Sequence, residues 1–133
     1  MAVVFSETVP LVSEADIVSA RRRVREISAE LGFSLVDQTK VVTAASELAR
    51  NTLLHGHGGA MELAKLNGPR VGLRLTFQDR GPGIPDIQLA LRDGFTTGSG
   101  LGLGLGGAKR LVNEFEVISK TGEGTKIIAT RWK

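Results

Sequence analysis

Between Val71 and Gln78 the chain alternates strictly. Val71, Leu73, Leu75 and Phe77 are apolar, and Gly72, Arg74, Thr76 and Gln78 between them are not. Side chains of a strand point to its two faces in turn, so this segment reads as a strand with one face buried and one in water. Such a strand belongs to a sheet covered on one side. The alternation stops at Asp79-Arg-Gly-Pro-Gly-Ile-Pro85, which can continue neither a helix nor a sheet interior. Asp79 therefore stands at a strand end, where the chain turns. Asn67-Gly68 is a hairpin signal that pairs this strand with residues 61–66.

The segments before the hairpin have a helical period. Ser13-Glu-Ala-Asp16 resembles a capping box with Asp in place of Glu. Ile17, Ala20, Val24, Ile27 and Leu31 follow at spacings of three and four, one apolar stripe that Gly32 ends. Ser34-Leu-Val-Asp37 repeats the capping signal and opens a second helix, through Val41, Ala45, Leu48 and Thr52 to about His55. After the hairpin come a short helix over 86–92, a glycine-rich loop over 94–107, a helix over 108–113, and strands over 115–120 and 125–132 around the turn Gly122-Glu-Gly124. The expected architecture is an α/β arrangement, a mixed, mainly antiparallel sheet with helices on one face. Residues 13–133 form one domain in this reading, and 1–12 are an N-terminal segment without an assigned element.

Composition narrows the function classes. With 41% hydrophobic and 23% charged residues the chain is globular, and it has no cysteine for a disulfide or a thiolate metal site. No basic region followed by an apolar run marks a signal peptide, and no apolar stretch is long enough to span a bilayer, so a cytoplasmic protein away from membranes is expected. The net charge is only +3. Arg21, Arg22, Arg23 and Arg25 cluster without stacking aromatics among them, which argues against nucleic acid and for a solvated face or the rim of an acidic partner site.

Three elements carry chemistry. Glu47, Asn51 and His55 are four apart and share one helix stripe. A carboxylate one turn from a carboxamide can hold a hydroxyl with one group and a hard cation such as Mg²⁺ with the other; an ordinary solvated helix face has the same pattern. Asp79, at its strand end, can accept a hydrogen bond from the exocyclic amine of adenine, where guanine offers a carbonyl. Gly83 would let a ring approach the backbone, though Gly-Pro-Gly is equally the composition of a plain tight turn. Finally, Gly98-Ser-Gly-Leu-Gly-Leu-Gly-Leu-Gly-Gly107 opens a helix and exposes backbone N–H groups suited to phosphates. A flexible linker would not interleave leucines. Gly102-x-Gly104-x-x-Gly107 matches the dinucleotide fingerprint by letter, but loop residues precede it where that fingerprint needs a strand, and no Gly-Lys-Ser/Thr completes a P-loop. His55 and His57 have no third metal ligand at a convincing spacing.

In this order the elements resemble the GHKL ATPases, the superfamily of gyrase, Hsp90, histidine-kinase catalytic domains and MutL. Glu47-Leu-Ala-Arg-Asn51 with His55 is similar to the N box, Asp79-Arg-Gly-Pro-Gly-Ile84 to the first glycine box, Gly100-Leu-Gly-Leu-Gly-Leu105 to the second, and Gly122-Glu-Gly-Thr125 to the late glycine–threonine motif. Asp93-Gly-Phe-Thr-Thr-Gly98, Lys109-Arg-Leu-Val-Asn-Glu-Phe115 and the terminal Thr-Arg-Trp132 resemble the small serine/threonine kinases of bacterial partner switching, above all the stressosome switch kinases. The resemblance implies a Bergerat fold, a two-layer α/β sandwich with a mobile glycine-rich ATP lid, and ATP with Mg²⁺. It assigns Glu47 as base or positioning group for the accepting hydroxyl and Asn51 as Mg²⁺ ligand. Asp79 would receive the adenine amine, Gly83 and Thr125 would support the base, and the run Gly100, Leu101, Gly102, Leu103 and Gly104 would wrap the phosphates. Partners implied are STAS-domain scaffold or antagonist proteins and a PP2C-type phosphatase. A sigma factor would be the partner if the chain were instead an anti-sigma factor, and an ATP-gated binding module with little phosphotransfer is the other alternative.

Overall fold

A computed structural model of the chain describes residues 2–84, Ile87, Leu91 and residues 105–133. Helix α1 spans Glu14–Glu30 and buries Ile17, Ala20, Val24 and Ile27, the stripe expected from their spacing. The Asp16 carboxylate accepts hydrogen bonds from the N–H groups of Val12 and Ser13 at 2.8 and 3.1 Å, which closes the helix start. Helix α2 spans Leu35–Leu54; the Ser34 hydroxyl accepts from the Asp37 N–H at 3.1 Å at its start, and His55 caps its end. Besides Val41, Ala45, Leu48 and Thr52 it buries Val42, Ala44, Ala49 and Asn51. That is wider than one stripe, because the helix is covered by both α1 and the sheet.

Five strands, β1 (Ala2–Leu11), β2 (Gly59–Asn67), β3 (Gly72–Asp79), β4 (Glu114–Lys120) and β5 (Gly124–Trp132), form one sheet in the order β1-β2-β3-β5-β4. All four described pairings are antiparallel. Met61, Leu63, Leu73, Leu75, Phe77 and Ile127 point from the sheet to the helices and form the core with Val24, Val41 and Leu48. The opposite face carries the polar half of the alternation. There Trp132 lies over Gly72, where a Cβ would come within 2.4 Å of the indole.

Two expectations are corrected. Residues 2–11, left without an element in the sequence reading, are an edge strand paired with β2 from Ala2↔Asn67 to Leu11↔Gly59. Its period is masked because a charged residue, Glu7, sits on the helix-facing side, where its carboxylate is bonded to the Arg23 guanidinium of α1. The helix expected over 108–113 is instead α3, Leu105–Arg110. Leu105 and Ala108 are buried, so the apolar contacts begin ahead of the glycines. At the other end the Asn113 N–H donates to the Thr130 carbonyl at 2.9 Å, which draws that residue to the sheet. The helix expected over 86–92 lies mostly outside the described residues, although the Leu91 N–H donates to the Ile87 carbonyl at 3.0 Å, one helical turn apart.

One ion pair fastens three elements. Arg131 of β5 donates to Asp37 in the first turn of α2 at 2.6 Å and to the Leu111 carbonyl just after α3 at 3.3 Å. The hydrogen bond from Arg131 holds the Asp37 carboxyl below its ordinary pKa. A carboxylate with a depressed folded pKa contributes stability that is present above its unfolded pKa and lost as pH falls through the folded one. Asp37→Asn should therefore lower stability at neutral pH and flatten its decline below about pH 4, the unfolded carboxylate range. Urea denaturation at both pH values checks this; equal losses at the two would contradict it.

Candidate nucleotide site

The C-terminal half of α2 and the ends of β3 and β5 meet at one end of the sheet. Asn51, His55, Gly56, Asp79, Gly83, Ile84 and Thr125 line one small crevice of about 10 Å³ there, and Asp79 also lines a wider cavity of about 560 Å³ with Gly56, His57, Gly59 and Arg80. Asp79 is carried in by its strand and is 7% exposed. Its Oδ1 accepts from the N–H groups of Gly81 and Thr125 at 2.9 and 3.1 Å. Its Oδ2 takes neither of these bonds. Gly56 permits this placement, since a Cβ on it would come within 2.3 Å of Oδ2.

The Gly-Pro-Gly loop is fixed against the β4–β5 turn. The Gly122 N–H donates to the Pro82 carbonyl at 2.8 Å, and the Ile84 N–H to the Ser119 hydroxyl at 2.7 Å. Gly83 has a φ of 82°, and its missing Cβ would lie 2.5 Å from the Lys120 carbonyl oxygen. Its requirement for glycine thus comes from backbone conformation and protein packing, before any ligand ring is considered.

Asn51 is 5% exposed, and its buried side-chain carbonyl oxygen has no hydrogen-bond partner among the described residues. Buried carboxamides almost always find partners, and a hard oxygen with none suits a hard cation. Among the described residues no group of three or more His, Cys, Asp or Glu could hold a metal ion. The orphaned Asn51 oxygen would fit a cation that arrives with its own oxygen ligands, as Mg²⁺ does on a nucleotide. Glu47 is half-buried one turn before Asn51 on the same stripe of α2 and does not line the crevice.

The predicted residues Asn51, Asp79, Gly83 and Thr125 come together, with His55 beside them. Gly100, Leu101, Gly102, Leu103 and Gly104 lie outside the described residues. The sequence reading missed Ser119, whose hydroxyl lies 2.9 Å from that of Thr125. Its signal was available: in the strand expected over 115–120, Phe115, Val117 and Ser119 alternate inward, and a hydroxyl in the third inward place is out of character for a core.

Residues 36–132 match the model of a family described as histidine kinase-, DNA gyrase B- and HSP90-like ATPase. The chain belongs to this ATPase family. The match covers α2 to β5 and thus the whole crevice. A relative from Bacillus subtilis (strain 168), named serine/threonine-protein kinase RsbT, is 46% identical over 93% of this chain and 94% of its own length. An anti-sigma F factor from Thermoanaerobacter sp. (strain X514) is 29% identical over 85% of this chain and 82% of its own. Among solved structures, part of a chain described as the RsbU and RsbW domains of a Mycobacterium tuberculosis protein shares the fold, with a TM-score of 0.65 at 24% identity. That superposition covers 96% of this chain and 31% of the mycobacterial chain, so the present chain spans about a third of it. In this ATPase family member, then, the α/β sandwich expected from the sequence is present, with an open antiparallel sheet under its helices.

Proposed function

We propose that the chain is an ATP-dependent protein serine/threonine kinase of a bacterial partner-switching module. The observation that carries this reading is the meeting of a buried carboxylate, Asp79, and an unpartnered buried carbonyl oxygen, Asn51 Oδ1, in one crevice. Asp79 Oδ2 accepts the adenine amine. Asn51 would hold a nucleotide-bound Mg²⁺, which would supply charge neutralisation for the transferred phosphoryl group. Gly100, Gly102 and Gly104, with Leu101 and Leu103 between them, close over the phosphates through backbone N–H groups. Glu47 takes the proton of a serine or threonine hydroxyl as its oxygen bonds to the γ-phosphorus. The bond to the bridging oxygen breaks, and ADP leaves with that electron pair. Phosphoryl transfer needs mainly alignment and charge stabilisation, so this short list of groups suffices. The likeness to a relative named a serine/threonine-protein kinase supports the assignment.

The acceptor we propose is a STAS-domain protein, with a PP2C-type phosphatase as the partner bound after release. No described helix is long and apolar enough to cross a membrane. After incubation with ATP, mass spectrometry should find a phosphoserine or phosphothreonine on the STAS protein; its recovery unmodified would contradict the kinase. The likeness to anti-sigma F factors keeps a second reading in view, in which the chain retains a sigma factor. Capture experiments offering STAS proteins and sigma factors side by side discriminate the two.

For partner docking, α1 offers Arg21, Arg22 and Arg25, which are exposed and form no ion pair among the described residues. Arg23 is excluded, being tied to Glu7 and Glu26. Reversing Arg21, Arg22 and Arg25 to Glu should weaken an acidic partner about tenfold or more, with ATP affinity unchanged. Calorimetric titration of the partner checks this, and unchanged partner affinity would remove the surface from the account.

A further inference from the structure

The helices cover one face of the sheet, and no described helix covers the other. Strand alternation turns Met61, Phe77, Ile127 and Val117 toward the helices, so the residues beside them turn outward. Four of these are Ala60, Gln78, Lys126 and Ile118. The register sets them side by side across four strands, as Ala60↔Gln78, Gln78↔Lys126 and Lys126↔Ile118. Two cavities open along this row. The one of about 560 Å³ takes in Ala60, Gln78 and Arg80, and a second, of about 220 Å³, takes in Gln78, Lys126 and Ile118 with Lys120 and Glu123. Gln78 lines both, so together they form one trough across the row.

The trough is basic. Its lysine and arginine residues are Arg80, Lys120 and Lys126, and Glu123 is the exposed carboxylate beside them. Asp79 lines both cavities as well, but it is 7% exposed and its Oδ1 already accepts from the Gly81 and Thr125 N–H groups. Glu123 approaches Lys120 at 3.7 Å, with both side chains largely in water, a pair that contributes little. Arg80 and Lys126 form no ion pair among the described residues.

The lining decides what such a trough can hold. Unpaired cations attract carboxylates and phosphates alike. A single-stranded nucleic acid would also need rings on which to stack, and no Phe, Tyr or Trp lines either cavity. Gln78 offers a donor and an acceptor to a peptide group, and Ile118, 52% exposed, offers an apolar contact. Four strands about 4.8 Å apart span roughly 14 Å, the length of four to five residues of extended chain.

We infer that this trough docks a short, extended acidic segment of a partner protein, held by Arg80 and Lys126 on either side of Gln78. Arg21, Arg22 and Arg25 belong to α1, in the helix layer, so the two basic surfaces lie on opposite sides of the molecule. A segment bound at one leaves the other open. The inference stands whether or not the crevice takes ATP.

The test titrates the isotope-labelled full chain with a peptide of alternating glutamate and serine, about eight residues long so that it crosses the row. Amide resonances are followed. Shifts should concentrate at Gln78, Arg80, Ile118 and Lys126 and shrink as salt is added, and a peptide of glutamine and serine should produce none. Arg80→Glu with Lys126→Glu should weaken the acidic peptide about tenfold or more, because two attractions become repulsions. Should that chain fail to fold, Arg80→Ser with Lys126→Ser introduces no repulsion and should weaken the peptide about threefold. The absence of any shift would overturn the inference, as would an affinity that these substitutions leave unchanged. Shifts confined to α1 would also overturn it, and would assign acidic segments to Arg21, Arg22 and Arg25 alone. A single-stranded oligonucleotide of equal charge that binds the same residues more tightly than the peptide would replace the acidic segment with nucleic acid.

Discussion

Asp79→Asn should lose at least about a hundredfold in ATP affinity while the protein stays folded, because the lost bond is to a charged acceptor and leaves donor facing donor. The substitution is nearly isosteric. The two backbone N–H groups, from Gly81 and Thr125, both use Oδ1, so an asparagine that turns its carbonyl oxygen to that side keeps both. Its amide nitrogen then occupies the Oδ2 position and meets the exocyclic amine of adenine, two donors with no acceptor between them. The same amide can donate to the O6 of hypoxanthine, so affinity for inosine triphosphate should rise relative to ATP. Calorimetric titration with each nucleotide reads both effects. ATP binding within about threefold of wild type would show that Asp79 does not receive the base.

Glu47→Gln should separate binding from transfer. Glu47 lies one helical turn from Asn51 and outside the crevice, so its removal leaves the nucleotide contacts in place. An amide cannot take the acceptor proton, and general-base catalysis contributes about a hundredfold to ten-thousandfold. The single-turnover transfer rate should fall within that span, with the ATP dissociation constant changed by less than about twofold. A parallel loss in both would make Glu47 a binding residue and return the base to an unassigned group.

How legible this was in the sequence depended on whether one local pattern decided each element. β3 was readable because Val71, Leu73, Leu75 and Phe77 alternate without exception and the run ends at Asp79-Arg-Gly-Pro-Gly, so strand, face and strand end all come from adjacent residues. The starts of α1 and α2 were readable for the same reason, since Asp16 and Ser34 satisfy backbone groups within four residues of themselves. β1 was not, because its pattern includes Glu7, and an inward carboxylate makes sense only with Arg23, 16 residues away. Beyond the C-terminal end of α3 the Thr130 carbonyl holds Asn113, another distant partner. In the site, Asn51, Asp79, Gly83 and Thr125 were found through motifs, and their convergence came from the fold. Ser119 belongs to no motif, and its meaning lies in the register of β4 against β5. The phosphate loop from Gly100 to Gly104 stays an expectation from its glycines and its resemblance.

The central claim is that this chain moves a phosphoryl group from ATP to a protein hydroxyl. The measurement that bears on it most directly is transfer of label from γ-labelled ATP, with Mg²⁺, to a STAS-domain protein, with Glu47→Gln run in parallel. The account predicts label on a serine or threonine of the STAS protein with the wild type and almost none with Glu47→Gln. ATP binding that depends on Asp79, with no label on any STAS protein, would contradict it and leave a nucleotide-gated binding protein in its place.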